Sequence, residues 1–220
     1  MEDFRIAGAG TVPGGEYRTV SIAGMGKCTG DLRAQNISVS GTFKGDGAVE
    51  CQGLKISGSF KCAGSLAAEK MSCSGAAGVQ GDMVANALTV SGTLTVEGGK
   101  LEGADLSCSG TITAAGQVCA DKLKVTGIIK AREIVGDDIT IGAIQPNILR
   151  QIFNLTIINS TADLIEATTL NLSGVTAQTV NGSNITIGPG CIIDNLDCNG
   201  TLHIDPTSTV RNVTGEYSGR

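Results

Sequence analysis

Apolar residues recur along this chain in a fixed frame: apolar, any, small, two polar, then apolar-x-apolar closed by x-Gly. Leu32-Arg-Ala34-Gln-Asn-Ile37-Ser-Val39-Ser-Gly41 returns as Val49-Glu-Cys51-Gln-Gly-Leu54-Lys-Ile56-Ser-Gly58, and again as Leu66-Ala-Ala68-Glu-Lys-Met71-Ser-Cys73-Ser-Gly75. The closing glycines Gly24, Gly41, Gly58, Gly75, Gly92, Gly110 and Gly127 are separated by 17, 17, 17, 17, 18 and 17 residues. Such a period marks stacked copies of one structural unit. The alternation Ile37/Val39, Leu54/Ile56, Leu88/Val90, Leu106/Cys108 and Leu123/Val125 is the two-residue strand period with one face buried. A second short strand follows each glycine (Thr42-Phe43, Ser59-Phe60, Thr93-Leu94, Thr111-Ile112). A third begins at Leu32, Val49, Leu66, Met83, Leu101 and Val118. Three strands in 17 residues close one triangular coil. The expected fold is all-β, a single-stranded parallel β-helix whose coils stack about 4.8 Å apart. No proline between Pro13 and Pro146 interrupts the ladders.

The frame also defines segments. Residues 1–14 read as an N-terminal tail or cap, 15–142 as regular solenoid, 143–163 as an irregular insertion, 164–215 as C-terminal turns and 216–220 as a tail. Ile139-Thr-Ile141-Gly142 closes a turn 15 residues after Gly127, and Leu170-Asn-Leu172-Ser-Gly174 closes another 32 residues on, arithmetically two shortened turns of 16. Pro146–Phe153 has helix-like spacing, so a protruding loop or short helix followed by a resumed turn is expected there. Its apolar residues Ile148, Leu149, Ile152 and Phe153 are candidates for contacting a partner. About a dozen turns make a rod roughly 55–60 Å long.

Composition narrows the function. The chain is 41% hydrophobic but only 3% aromatic, a payload of Val, Ile, Leu, Ala and Cys that suits a narrow, regular interior. The formal charge is −5, and the 16 Lys and Arg form no run along the sequence, which argues against nucleic acid. No apolar stretch approaches the ~20 residues that span a bilayer. Met1-Glu-Asp opens acidic with no signal-peptide pattern, so a cytoplasmic location is expected. The eight cysteines include no C-x-x-C pair. Cys73, Cys108 and Cys198 occupy slots read as filled elsewhere by Val or Ile, and Cys51 the slot of Ala34 and Ala68, which makes them small buried hydrophobes rather than zinc ligands.

No candidate chemistry gathers into a constellation. Ser21-Ile-Ala-Gly-Met-Gly-Lys27-Cys28 echoes a phosphate-binding loop but lacks its first glycine and its final hydroxyl residue. His203 is the single histidine, and no nucleophile and orienting acid can be assigned to it. Asp31, Asp46 and Asp82 follow glycines at corners, where Gly-Asp favours a turn. Asp137, Asp138 and Asp194 complete no calcium pattern. The eight Asn-x-Ser/Thr triplets follow from a Ser/Thr-rich composition. The expectation is a protein that is not an enzyme and needs no cofactor or metal.

With its Gly41-Thr-Phe43-Lys-Gly45-Asp46 corners and the strand frame above, the repeat resembles the bactofilin family of bacterial polymer-forming cytoskeletal proteins. The resemblance covers Val20 to Gly142, including Lys130-Ala-Arg-Glu-Ile-Val-Gly-Asp-Asp-Ile-Thr-Ile141, and the C-terminal third is closer to a longer variant of Gram-positive bacteria. It implies a right-handed β-helix that joins end to end without nucleotide and recruits envelope, division or morphogenesis proteins near the membrane. Residues 1–14 are the candidate for a peripheral membrane contact. Physics points the same way, because an open solenoid leaves unpaired backbone groups on its first and last coils. The candidate assembly residues are Phe4, Ile6, Tyr17, Val20 and Ile22 at one end and Leu202, Ile204, Val210 and Val213 at the other. The alternative is a capped, monomeric rod that displays its Ser/Thr faces or the 143–163 segment to a protein or glycan.

Overall fold

The computed structural model describes residues 1–142 and 160–219, which form a parallel β-solenoid of twenty strands from Glu2–Ile6 to Ser218–Gly219. One ladder runs its full length: Phe4, Val20, Ile37, Leu54, Met71, Leu88, Leu106, Leu123, Ile139, Leu170, Ile185, Leu202 and Gly219 pair in succession. Those twelve steps are the dozen turns expected from the repeat.

Each coil has three faces. Residues 53–56 lie on the first, residues 42–45 on the third, and residues 49–51 on the second. Val49–Ile56 is one continuous strand, yet its inward alternation slips at Gln52-Gly53, where neither side chain is buried. That slip is the corner between the second and first faces. Inward positions of all three faces merge into one core that runs from Ile6 to Leu202. On the third face the inward column reads Gly26, Phe43, Phe60, Ala77, Leu94. Phe43 and Phe60 are fully buried and stacked, centroids 5.1 Å apart, and the small Gly26 and Ala77 on either side leave room for the two rings.

The closing glycines are required by close approach rather than by torsion. Positive φ occurs at Gly15, Gly30, Gly174, Gly190 and Gly215, and none of the closing glycines from Gly24 to Gly127 is among them. A Cβ on Gly41, Gly58 or Gly75 would instead lie 2.0 Å from the carbonyl oxygen of the closing glycine one coil earlier. The column is a seam where coils touch backbone to backbone. The single 18-residue step is absorbed at another corner: three residues separate Val79 from Met83, and four separate Val96 from Leu101, across Gly98-Gly99.

Three segments differ from the sequence expectation. Residues 2–6 and 9–14 belong to strands: Glu2–Ile6 pairs with Tyr17–Ile22, and Ala9–Pro13 with Met25–Thr29. Ile6 and Val12 supply inward apolar residues there, although the frame around them is too degenerate to recognise. The 32-residue interval is not two shortened turns, because Ile139 pairs directly with Leu170 and Ile141 with Leu172, so a single coil contains it. The ladder resumes at Ser160, inside the range assigned to the insertion, and Ser218–Gly219 at the other terminus still pairs with Thr201–Leu202. Pro146–Phe153, with Ile148, Leu149, Ile152 and Phe153, lies outside the described residues.

Candidate assembly surfaces

A solenoid ends where its first and last strands have a neighbour on one side only. Glu2–Ile6 pairs with the following coil, and no strand among the described residues pairs on its outer edge. Phe4 packs half-buried on the core and meets Tyr17 edge to face, centroids 5.6 Å apart. The Tyr17 hydroxyl donates to the Pro13 carbonyl at 3.0 Å, which holds the ring across this end. Ile6 lies beside them and is 6% exposed. Arg18 is bonded to Asp3, and the contact holds the Asp3 carboxyl below its ordinary pKa. Val20 and Ile22 are fully buried one coil further in, between Phe4 and Ile37 and between Ile6 and Val39. Of the five candidates at this end, Phe4, Ile6 and Tyr17 form the terminal layer.

At the other end, Thr209–Thr214 pairs only with Ile192–Asp197, again with its far edge open among the described residues. Val210, Val213 and Ile204 are each partly buried against the core, with no further coil above them among the described residues. Leu202 is nearly buried opposite Gly219. The last coil is tied down by side-chain rungs. Asn212 Nδ2 donates to Asn195 Oδ1 at 3.0 Å, Thr214 Oγ1 to Asp197 Oδ1 at 2.6 Å, and Arg211 to Asp194 Oδ1 at 2.7 Å. An ordered terminal coil with open backbone groups and half-covered aliphatic side chains is suited to accept another strand.

The remaining sequence candidates are dispersed. His203 is exposed on the first face beside Thr186. Lys27, from the phosphate-loop echo, lies outward on the third face and pairs with Asp46 at 3.0 Å. Asp31 and Asp82 do more than shape local turns: Asp31 Oδ1 accepts the Ala48 N–H and Asp82 Oδ1 the Lys100 N–H, each reaching into the next coil. Seven of the eight cysteines are buried, and Cys119 is half-exposed. Burial pushes the Cys108 thiol up to about 11. Burial, reinforced by the Glu50 charge, pushes Cys51 up to about 12, so both stay protonated. No group of three or more His, Cys, Asp or Glu that could hold a metal occurs among the described residues. The flank between Lys55 and Lys70 is an open groove floored by Leu54 and Met71.

Stacking reveals one feature that linear reading misses. Lys27, Lys44 and Lys61 are 17 residues apart and fall in one outward column of the third face. That column continues from Thr11 to Thr209, through Lys130, without a carboxylate. A search along the sequence for runs of basic residues cannot find it, whereas the same search at the repeat spacing would.

These features define a repeat protein: a parallel β-solenoid with an apolar interior, whose first and last strands keep an open edge among the described residues. Residues 1–84 match the bactofilin family, described as polymer-forming cytoskeletal. The chain is also 37% identical over 54 residues to an uncharacterized protein, YhbE, of Bacillus subtilis, a stretch that is 24% of this chain and 23% of that one. No solved structure matches. The family match covers the early coils, and the later ones continue the same ladders beyond it. Among the described residues no helix is long and apolar enough to cross a membrane.

Proposed function

We propose that this protein is a structural scaffold that self-assembles end to end through its terminal coils, without nucleotide, and recruits envelope, division or morphogenesis proteins to the resulting polymer. The observation that carries the reading is the pair of open ends: strand edges at Glu2–Ile6 and Thr209–Thr214 that have no partner among the described residues, each beside partly covered apolar side chains. A joint would satisfy those backbone groups by strand addition, and full burial of an aliphatic side chain contributes roughly 1.5–3 kcal/mol. The polymer-forming description of the family matched by residues 1–84 supports the same reading. Joints that repeat along one axis need no fuel, because the ladder at each joint is the one that already holds the coils together.

Electron microscopy and sedimentation of the purified chain without nucleotide test this. Filaments are expected, and Phe4→Asp or Val213→Asp should shorten or abolish them by placing a charge in a terminal layer. A chain that stays monomeric at high concentration, or filaments indifferent to both substitutions, would refute end-to-end assembly.

A further inference from the structure

The sequence contains two Asn-Gly steps, Asn181-Gly182 and Asn199-Gly200, both where the second face turns into the first. The same dipeptide occupies two different settings. Asn181 pairs in register with Glu166 on one side and Asp197 on the other, and Gly182 with Ala167 and Cys198, so the first step is held in a continuous ladder. The second falls where the register shifts. Gly182 pairs with Cys198 and Asn184 with Thr201, so Asn199 and Gly200 together lie against the one residue Ser183. An extra residue of this kind is a β-bulge, which interrupts the ladder locally and leaves the backbone there less constrained. Asn199 is exposed, whereas Asn181 is half-buried. The bulge also carries contacts from the final coil. Thr214 Oγ1 donates to Asp197 Oδ1 at 2.6 Å, Ser218 Oγ to Gly200 O at 3.3 Å, and Asn199 Nδ2 itself to Asp197 Oδ2 at 3.4 Å.

We propose that Asn199 is a site of spontaneous deamidation, a slow covalent change that loosens the last coil. Gly200 has no side chain to shield its backbone nitrogen or to restrict its approach. That nitrogen attacks Asn199 Cγ, and the new N–Cγ bond closes a succinimide. The Cγ–Nδ2 bond breaks, and the side-chain nitrogen leaves with the Gly200 N–H proton as ammonia. Water then opens the imide at either carbonyl and gives aspartate or isoaspartate, so solvent is the only co-reactant. Either product places a new carboxylate at this corner, where the Asn199 amide now donates to Asp197. Isoaspartate also adds a methylene to the main chain beside the Gly200 carbonyl that accepts from Ser218. The hydroxyl contacts of Thr214 and Ser218 with this corner are thereby weakened together. The chemistry needs the bulge alone and is independent of end-to-end assembly.

Peptide mass spectrometry of the full chain, incubated folded at neutral pH and in parallel in urea, reads both sites. In urea the two asparagines should deamidate at similar rates, because glycine follows each. In the folded chain Asn199 should react about tenfold or more faster than Asn181, whose step must first open from the ladder. Asn199→Asp reproduces the added charge at an exposed position, and an unchanged circular dichroism spectrum checks that the variant folds. Its hydrogen exchange should quicken about two- to fivefold over Thr209–Thr214, the range that one exposed charge interaction can shift, and stay unchanged over Glu2–Ile6. Equal rates at the two sites in the folded chain, or a slower Asn199, would overturn the proposal. So would a preference for Asn199 that persists undiminished in urea, or an Asn199→Asp chain whose last coil exchanges like the parent.

Discussion

Gly75→Ala tests whether the glycine seam holds the coils together. The added Cβ would lie 2.0 Å from the Gly58 oxygen and 2.6 Å from the Ser57 oxygen, both backbone atoms with no freedom to turn away. Restoring an ordinary contact requires the coils to part by more than about 1 Å at that corner. Three backbone hydrogen bonds cross there: Ser74 N–H to Ile56 O at 2.8 Å, Gly75 N–H to the same oxygen at 3.3 Å, and Ala76 N–H to Gly58 O at 2.9 Å. At about 1 kcal/mol net for each, the loss is about 3 kcal/mol before any disturbance of the buried Ile56 and Cys73 beneath. Gly78, three residues on, is the matched control. A Cβ there meets nothing within 4 Å, so Gly78→Ala should be neutral or stabilising by up to about 1 kcal/mol, through a less flexible unfolded chain. Urea unfolding compares the pair. Limited proteolysis locates the damage, because a solenoid can open locally rather than in one step. Equal midpoints for the two variants, or cleavage no faster around residue 75 than elsewhere, would refute the close-approach account.

Phe60→Ala should cost about 3–5 kcal/mol, because Ala77 on the next coil cannot fill the space and Phe43 loses its stacked partner. A double cycle of Phe43→Leu with Phe60→Leu should show coupling of about 0.5–1.5 kcal/mol; denaturant melts measure both. Native alkylation at pH 8 should label Cys119 first, and Cys51 and Cys108 only after unfolding, as mass spectrometry of the labelled peptides would record. Folding raises the thiol pKa of Cys51 and Cys108 to about 12 and about 11 from 9.0. Their contribution to stability is therefore complete below pH 9 and lost as pH rises from about 9 through 11 to 12, which melts across that window would reveal.

The interior was legible because every inward slot is repeated many times. Ile37, Leu54, Met71 and Leu88 each repeat the same alternation, so one ambiguous copy is corrected by its neighbours. The ends had no such redundancy. Ile6 and Val12 do inward work in a coil whose corners are Ala7-Gly8 and Pro13-Gly14, and only the pairing of Phe4 with Val20 shows that the solenoid has already begun. For the same reason Val20 and Ile22, read from the sequence as end residues, lie one coil in from the first strand. The 32-residue interval misled in the opposite direction, since its length allows two coils while the direct pairing of Ile139 with Leu170 requires one.

Surface columns are where linear reading and the folded rod diverge most. A core slot advertises itself by hydropathy at every turn, but an outward slot accepts almost any polar residue, so Lys44 carries no signal until Lys27 and Lys61 are placed beside it. The repeat therefore has two roles. Inside, it buries seven of the eight thiols and pairs each internal strand on both sides. Outside, it converts a spacing of 17 residues into a pitch of about 4.8 Å, so a few substitutions at equivalent positions become a line of charge along the axis. An edge left open among the described residues at each end is what the proposed end-to-end joints would use. Such joints should persist as salt is raised, because burial of Val210 and Val213 does not weaken with ionic strength as the attraction between exposed charges does.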